Sequence, residues 1–285
     1  MKKDSYLLKL VFLLPIIVYA FILVLLPILY VFFLSFCQND FYGGIIYHFT
    51  LSNYIDIFDI TYLKILFKSS VIGLITTFIC ILISYPFALI LREKSENVRN
   101  LMTKLVMIPF LTNSLIRTYG WITLLRKNGV INSGLLGIGI IDKPLNLMYN
   151  NLGIIVGMSY TLLPFMILPV CSSVFKIDQC LIEAARDLGA SPIKVFKHII
   201  VPQTISGVFN GSLMVFIPAI GYFFISDILG GGKVMIIGNL IKNQFLTARN
   251  WPFGSAISIF LIVVTLLLVK VYQKLGGKLD DLGGM

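Results

Sequence analysis

A run of 27 residues without a charged side chain, from Leu10 to Phe36, sets the strongest limit on how this chain can fold. About 20 apolar residues in a helix cross the hydrocarbon core of a bilayer, so this run is long enough to span a membrane. The whole chain is rich in apolar residues, since 58% of its 285 residues are hydrophobic and only 13% are charged. Soluble domains carry about 25% charged residues. The composition therefore excludes an ordinary soluble enzyme and predicts a membrane protein.

Six stretches are long and apolar enough to cross a bilayer, and they predict an all-α, polytopic membrane protein. Lys2 and Lys3 resemble the start of a signal peptide. However, the apolar region of a signal peptide has about 7–15 residues, and the run from Leu10 to Phe36 is longer, so we expect a retained helix. No polar segment is long enough for a soluble catalytic domain, and we expect one transmembrane domain over 1–285. The predicted spans are 10–36, 65–91, 102–125, 151–175, 203–226 and 254–272.

Lysine and arginine residues predict the orientation of these spans. On one side of the predicted spans, fourteen of them lie in or next to the two terminal segments and the loops 92–101 and 176–202. On the other side, six lie in the loops 126–150 and 227–253. Basic residues concentrate on the cytoplasmic side of membrane proteins, so we expect both termini in the cytoplasm. Because the charges form short clusters between apolar spans, they indicate topology and not a nucleic-acid surface.

Motifs for catalysis are missing from the sequence. No G-x-x-x-x-G-K-[ST] loop, H-E-x-x-H helix or G-x-S-x-G elbow occurs, so we expect no ATP hydrolysis and no catalytic residue in this chain. The four cysteines show no C-x-x-C spacing, which excludes a zinc site or a secreted disulfide scaffold. We therefore expect neither a cofactor nor a metal in this chain.

The loop 176–202, called the inner loop below, contains two predicted short helices separated by a glycine. The first ends at Gly189, because glycine adopts the left-handed conformation at little cost at a helix C-terminus. Ser191 and Pro192 then suit the N-cap and the first position of the second helix. Small side chains at Ala184 and Ala185 leave a low surface on which another protein can sit. From the residues alone, the loop is either an amphipathic connector or a docking surface.

The spacing of this loop resembles the EAA loop of ABC importer permeases, whose pattern is E-A-A-x3-G-x9-I-x-L-P. One position departs from the pattern, since Val201 stands where the family has leucine. In that family the loop forms a coupling helix that fits a cleft on a cytoplasmic ATPase subunit, and the resemblance implies the same role here. The matching residues are Glu183, Ala184, Ala185, Gly189, Ile199 and Pro202.

Four further segments are similar to the permeases of spermidine/putrescine ABC importers. The resemblance implies six transmembrane helices of the type I importer kind in a bacterial inner membrane. It also implies a second permease subunit, a cytoplasmic ATPase dimer that binds the ATP, and a periplasmic binding protein that delivers the polyamine. The similar segments are 109–120, 162–166, 217–231 and 250–254.

The end of the fifth predicted span combines aromatic side chains with a carboxylate. Polyamines carry several ammonium groups, which carboxylates neutralise and aromatic faces attract by cation–π contact. Tyr222, Phe223, Phe224 and Asp227 offer both, and Asp227 shares a helix face with Phe223 if the helix continues. We interpret the cluster as an outer gate on the substrate path. The alternative is a belt of interfacial aromatics beside an acidic helix end.

Two basic residues complete the predicted gate. Arg117 lies inside the third span, where an ionisable residue is costly and indicates function. We expect it to pair with a carboxylate or with backbone carbonyls, Asp227 being one candidate, so that substrate competes for the pair. Lys242 is a second candidate counter-charge. The alternative for Lys242 is a solvated loop lysine.

Three other functions stay open at this point. One keeps the ABC permease and changes the cargo to another small solute such as an opine, thiamine or an iron complex. An ion-coupled carrier predicts midplane carboxylates and a tandem repeat, and the sequence shows neither. A lipid-modifying transferase predicts a cluster of polar catalytic residues at one interface, which is also missing.

Overall fold

The computed structural model describes residues 14–274, except the side chains of residues 272 and 273. Most of this part is helical, and within it one short hairpin pairs β1 (Gln38–Asn39) with β2 (Ile45–Ile46). The two chain ends and residues 10–13 of the first predicted span lie outside the described residues. The helices are α1 Leu14–Leu34, α2 Ser52–Asp56, α3 Ile60–Arg92, α4 Glu96–Met107, α5 Ser114–Leu125, α6 Val130–Gly137, α7 Asn151–Phe175, α8 Gln179–Asp187, α9 Pro192–Gly221, α10 Phe223–Gly230, α11 Ile237–Leu246 and α12 Trp251–Lys274.

The described residues form two compact units. Unit 1 comprises residues 14–63 and 240–264, and unit 2 comprises residues 64–239 and 265–274. Unit 2 contains the main hydrophobic core. The division does not test the expected single domain over 1–285, which stays a prediction.

Five helices in the described part are long and apolar enough to cross a membrane. These are α1, α3, α7, α9 and α12, and they confirm helices at five of the six predicted spans. The third predicted span, 102–125, is not one helix, because α4 ends at Met107 and α5 begins at Ser114. Each of these helices has 12 residues. Such a length gives about 18 Å of helix, which is short of the about 30 Å of a bilayer core.

The break between α4 and α5 follows from local sequence. Pro109 lies in a 3₁₀ turn, Ile108–Leu111, and proline cannot donate the hydrogen bond that would continue the α-helix. The chain is extended at Thr112, where ψ is 153°. Asn113 then caps α5, its side-chain oxygen accepting a hydrogen bond from the backbone N–H of Leu115 at 2.8 Å. The apolar length of 102–125 predicts one span, but Pro109 and the Asn113 cap divide it into two helices.

The fifth predicted span, 203–226, differs from the structure at both ends. Helix α9 begins at Pro192, passes through a π-helical turn at Phe196–Ile200, and ends at Gly221. Tyr222 leaves the helical conformation with φ −72° and ψ 67°, and α10 starts immediately after it. The inner loop therefore runs without a break into the fifth span, whereas the predicted gate lies on a separate short helix.

The packing of α7 against α9 forms the centre of unit 2. More than half of the residues of α7 are buried. Gly207 and Gly211 on α9 face α7 so closely that a Cβ at Gly207 would lie 2.6 Å from the carbonyl oxygen of Pro169. A Cβ at Gly211 would lie 3.2 Å from the Cα of Met166. Small residues four positions apart are a common means of bringing membrane helices into close contact.

Helix α1, in unit 1, is almost entirely exposed. Residues 14–30 are all exposed, and Leu34 is the one residue of α1 that is buried. A long apolar surface of this kind is unstable in water and requires an apolar environment. The exposure of α1 agrees with its prediction as a membrane span.

We predict that Gly207→Ala lowers the thermal stability of the chain. Alanine normally stabilises a helix interior by about 1 kcal/mol relative to glycine, but overpacking a core costs about 1–3 kcal/mol. At Gly207 the clash with the Pro169 carbonyl should dominate, and the melting temperature in detergent should fall by a few degrees.

Gly120→Ala is the matched control, because at that helical position no described atom beyond the adjacent backbone lies within 4 Å of a Cβ. This variant should melt at the same temperature as the wild type or slightly higher. Equal melting temperatures for the two variants would contradict close packing at Gly207.

Candidate coupling loop and outer gate

The loop between α7 and α9 has the two helix ends that the sequence predicts. The side-chain oxygen of Asp178 accepts a hydrogen bond from the backbone N–H of Cys180 at 2.9 Å and caps α8. Gly189, with φ +80°, terminates this helix in the left-handed conformation. Ser191 stands at the N-cap of α9 and Pro192 at its first position, although the Ser191 side chain makes no capping hydrogen bond. Hydrogen bonding to Asp178 and the charge of its carboxylate raise the pKa of the Cys180 thiol, which disfavours a reactive thiolate.

Helix α8 has one buried side and one exposed side. Ile182 is buried in a small apolar cluster, with Ala185 and Ile199 of the predicted motif packed around it. On the other side Glu183 and Ala184 are exposed. A rigid helix that presents an alanine and an acidic side chain to solvent is suited to docking in a cleft on another protein.

Two apolar residues flank the exposed side of α8. Leu188 is 88% exposed and Ile193 is 78% exposed. Single exposed apolar residues are common, but two of this size next to a short helix enlarge the apolar area that a partner protein can cover. The sequence analysis did not identify these two residues.

A hydrogen-bond chain connects α8 to the end of α3. Nη2 of Arg92 donates to the carbonyl oxygen of Ile177 at 3.2 Å and to Oε1 of Gln179 at 3.0 Å. Nε2 of Gln179 in turn donates to Oε1 of Glu183 at 3.1 Å. Glu183, the first residue of the predicted motif, is therefore linked through Gln179 to Arg92 at the end of α3.

The predicted gate residues lie together around the start of α10. The ring centres of Tyr222 and Phe224 are 5.2 Å apart, and those of Phe223 and Phe224 are 6.2 Å apart. Phe223 and Asp227 both belong to α10, so they share a helix face as expected, although α9 ends before them. Phe223 is 40% exposed, whereas the other three side chains are partly buried.

Asn239 positions Asp227 in this cluster. Its Nδ2 donates to Oδ1 of Asp227 at 2.6 Å and to the carbonyl oxygen of Phe223 at 3.1 Å. Its Oδ1 accepts a hydrogen bond from the backbone N–H of Ile236 at 3.1 Å. The side chain of Asn239 is buried, so these bonds are shielded from water. The sequence analysis did not identify Asn239, and its only signal was a polar residue in an otherwise apolar stretch.

Arg117 lies among aromatic rings in unit 2. Its Cζ is 5.5 Å from the ring centre of Phe110 and 5.9 Å from that of Tyr160. The contacts described for this guanidinium are to rings, so its pairing with Asp227 stays a prediction. Lys242 lies on α11 in unit 1, and its role as a counter-charge also stays a prediction.

We predict that Asn239→Ala destabilises the chain. The substitution leaves the carbonyl of Phe223 and the N–H of Ile236 without this partner, and an unsatisfied buried polar group costs about 1–3 kcal/mol. Thermal unfolding in detergent should detect the loss. Asn97→Ala, at an exposed position on α4, is the control and should leave the melting temperature unchanged. A stable Asn239→Ala variant would show that the three bonds contribute little.

Comparison with known proteins gives close relatives over most of the chain. The spermidine/putrescine transport system permease protein PotB of Haemophilus influenzae is 44% identical over 253 residues, which is 88% of each chain. PotB of Escherichia coli K12 is 44% identical over 251 residues, covering 88% of this chain and 91% of the relative. No protein-family model matches the chain.

A solved structure shares the fold. The crystal structure of the bacterial alginate ABC transporter, in complex with an alginate pentasaccharide-bound periplasmic protein, contains a chain that superposes with a TM-score of 0.75. The match covers 95% of this chain and 93% of that chain at 17% identity, so it shows the fold alone. The 44% identity to the PotB relatives, over most of their length, shows that this chain belongs to the PotB family of ABC transporter permeases.

Proposed function

We propose that this chain is a membrane permease subunit of an ATP-driven, binding-protein-dependent importer of polyamines, either spermidine or putrescine. The observation that carries the proposal is the 44% identity, over 88% of the chain, to relatives named as spermidine/putrescine permeases. The gate cluster agrees with this cargo, because it offers a carboxylate and three aromatic rings to an ammonium group.

The proposed topology has six crossings of a bacterial inner membrane with both termini in the cytoplasm. The long apolar helices provide five crossings, and α4 and α5 together provide the third in chain order. The charge distribution supports this orientation, since the basic clusters then lie inside. Lipid covers the exposed surface of α1 except where a partner subunit does.

The proposed partners bind the ATP, complete the membrane pore and deliver the cargo. A cytoplasmic ATPase dimer binds the ATP and docks on α8, where Glu183 and Ala184 are exposed. A second, homologous permease completes the membrane pore, and a periplasmic polyamine-binding protein delivers the cargo. The chain itself holds no cofactor or metal in this proposal.

Transport in this proposal is alternating access without chemistry on the cargo. Closure of the ATPase pair moves α8, which is bonded to α3 through Arg92 and is joined by a short loop to α9. Movement of α9 shifts Tyr222 and α10, and so opens or closes the path past Asp227. Arg117 and Lys242 act as counter-charges that the cationic substrate displaces.

Another small solute is the alternative cargo, with the same permease architecture. An opine or an anionic iron complex should prefer a basic residue where this chain has Asp227. The carboxylate at this position is the specific feature that favours a polyamine.

We predict that Asp227→Asn reduces spermidine uptake by more than about tenfold, because a charge-assisted hydrogen bond to the substrate is worth about 1.5–3 kcal/mol. Uptake of labelled spermidine is measured in cells that lack their own polyamine importers and carry the assembled transporter. Asp142→Asn, at an exposed acidic residue before α7, should transport normally.

The outcomes separate the cargo from the gate. Uptake that survives Asp227→Asn would keep spermidine as the cargo and remove Asp227 from the path. No uptake of either spermidine or putrescine by an assembled wild-type transporter would overturn the polyamine proposal.

We predict that Gln179→Leu uncouples ATP hydrolysis from transport. The substitution breaks the link from Arg92 to Glu183, so α8 should move without α3. In proteoliposomes, spermidine uptake should fall several-fold while basal ATPase activity is retained. Gln203→Leu, at an exposed position on α9, is the control. A normal ratio of spermidine transported to ATP hydrolysed in Gln179→Leu would contradict this role of the link.

A further inference from the structure

A pocket of about 690 Å³ lies in unit 2, where the ends of α3, α7 and α8 meet α4 and the start of α9. Three arginines line it, Arg92, Arg99 and Arg186, together with one carboxylate, Glu93. Three guanidinium groups and one carboxylate leave an excess of positive charge, which favours a bound anion.

Arg99 has a hydrogen-bond donor without an acceptor. Its Cζ lies 5.3 Å from the ring centre of Phe175. Its Nε is buried and has no hydrogen-bond partner among the described residues. Buried donors are nearly always paired, so a buried, unpaired guanidinium nitrogen beside a basic pocket indicates an acceptor that binds there.

We propose that this pocket binds the phosphate group of an anionic ligand, and that a phospholipid headgroup is the source the lining favours. Guanidinium groups hold phosphate oxygens through paired hydrogen bonds, which an isolated lysine does not reproduce. Much of the remaining lining is apolar, including Phe175 and Ile200, and suits the glycerol and upper acyl chain of a lipid.

The position of the pocket also favours a lipid. Arg92 is the last residue of a long, mostly apolar helix, so in the proposed topology the pocket lies at the cytoplasmic end of a span, on the side of the inner-leaflet headgroups. Basic pockets between transmembrane helices on the cytoplasmic side bind anionic headgroups. Placement in the inner leaflet rests on the topology proposed above. A free phosphate ion offers the same chemistry from solution and is tested separately.

The test uses the assembled transporter in two kinds of nanodisc. In the first arm, discs of phosphatidylcholine with a small fraction of phosphatidylglycerol are analysed by native mass spectrometry, and the retained phosphatidylglycerol is counted. In the second arm, discs of phosphatidylcholine alone are titrated with inorganic phosphate, and the melting temperature is measured. Neither arm contains a polyamine, so the result is independent of the proposed cargo.

We expect Arg99→Gln and Arg186→Gln each to weaken binding about tenfold, because each removes a charge-assisted hydrogen bond. Arg186 lies exposed on α8, so its substitution tests the pocket even if Arg99→Gln impairs folding. Lys94→Gln removes the same charge at an exposed position outside the lining and should bind as the wild type does.

Each outcome decides the proposal. Retention of phosphatidylglycerol that falls in both arginine variants and not in Lys94→Gln supports a lipid ligand. A response confined to the phosphate arm, with the same variants affected, supports the phosphate site and replaces the lipid with a soluble source. If neither arm distinguishes the arginine variants from the wild type, the proposal is overturned.

Discussion

The close contact of α7 with α9 is the interaction on which both candidate sites depend. Gly207 and Gly211 allow the two helices to approach until side-chain and backbone atoms of α7 fill the space that a Cβ would occupy. The coupling loop is the connection between these two helices, so their packing fixes where it begins and ends. The gate begins at Tyr222, one residue after α9 ends. A looser contact between α7 and α9 would therefore displace both ends of the proposed transport path.

The two candidate sites are held by different kinds of bond. Around α8, the link from Arg92 through Gln179 to Glu183 is exposed for much of its length, and exposed bonds of this kind contribute little to stability. Around α10, the bonds of Asn239 to Asp227 and to the backbone come from a buried side chain and are largely shielded from water, which strengthens them. The loop can exchange its bonds for those of a partner protein, whereas the carboxylate of the gate is held in place before any substrate arrives.

Sequence reasoning identified the features that depend on composition and spacing. Five of the predicted spans are helices, Gly189 terminates α8, and Ser191 and Pro192 stand at the N-cap and the first position of α9 as expected. It missed the break at Pro109 because hydropathy over a window hides a single helix-stopping residue. The predicted fifth span, 203–226, begins and ends later than α9 and includes the gate residues. No apolar pattern marks the end of the helix at Tyr222.

Features that depend on tertiary contacts could not be predicted from one sequence. Arg92 and Gln179 are 87 positions apart, and nothing in either local pattern predicts that they meet. The same holds for Asn239 and Asp227, which are 12 positions apart and lie on different helices. The aromatic neighbours of Arg117 were equally hidden, since they come from the 3₁₀ turn before α5 and from α7.

The continuity of α9 has a mechanical consequence. Its 30 residues form a rod of about 45 Å, one end of which carries the coupling loop and the other the Tyr222 break. A tilt of about 10° around the middle of such a rod moves each end by about 4 Å in opposite directions. The close contact at Gly207 and Gly211 lies in the central part of the rod and can act as its fulcrum. In the proposed mechanism, a small displacement at the coupling loop then moves the gate in the opposite direction, without any change in the helix itself.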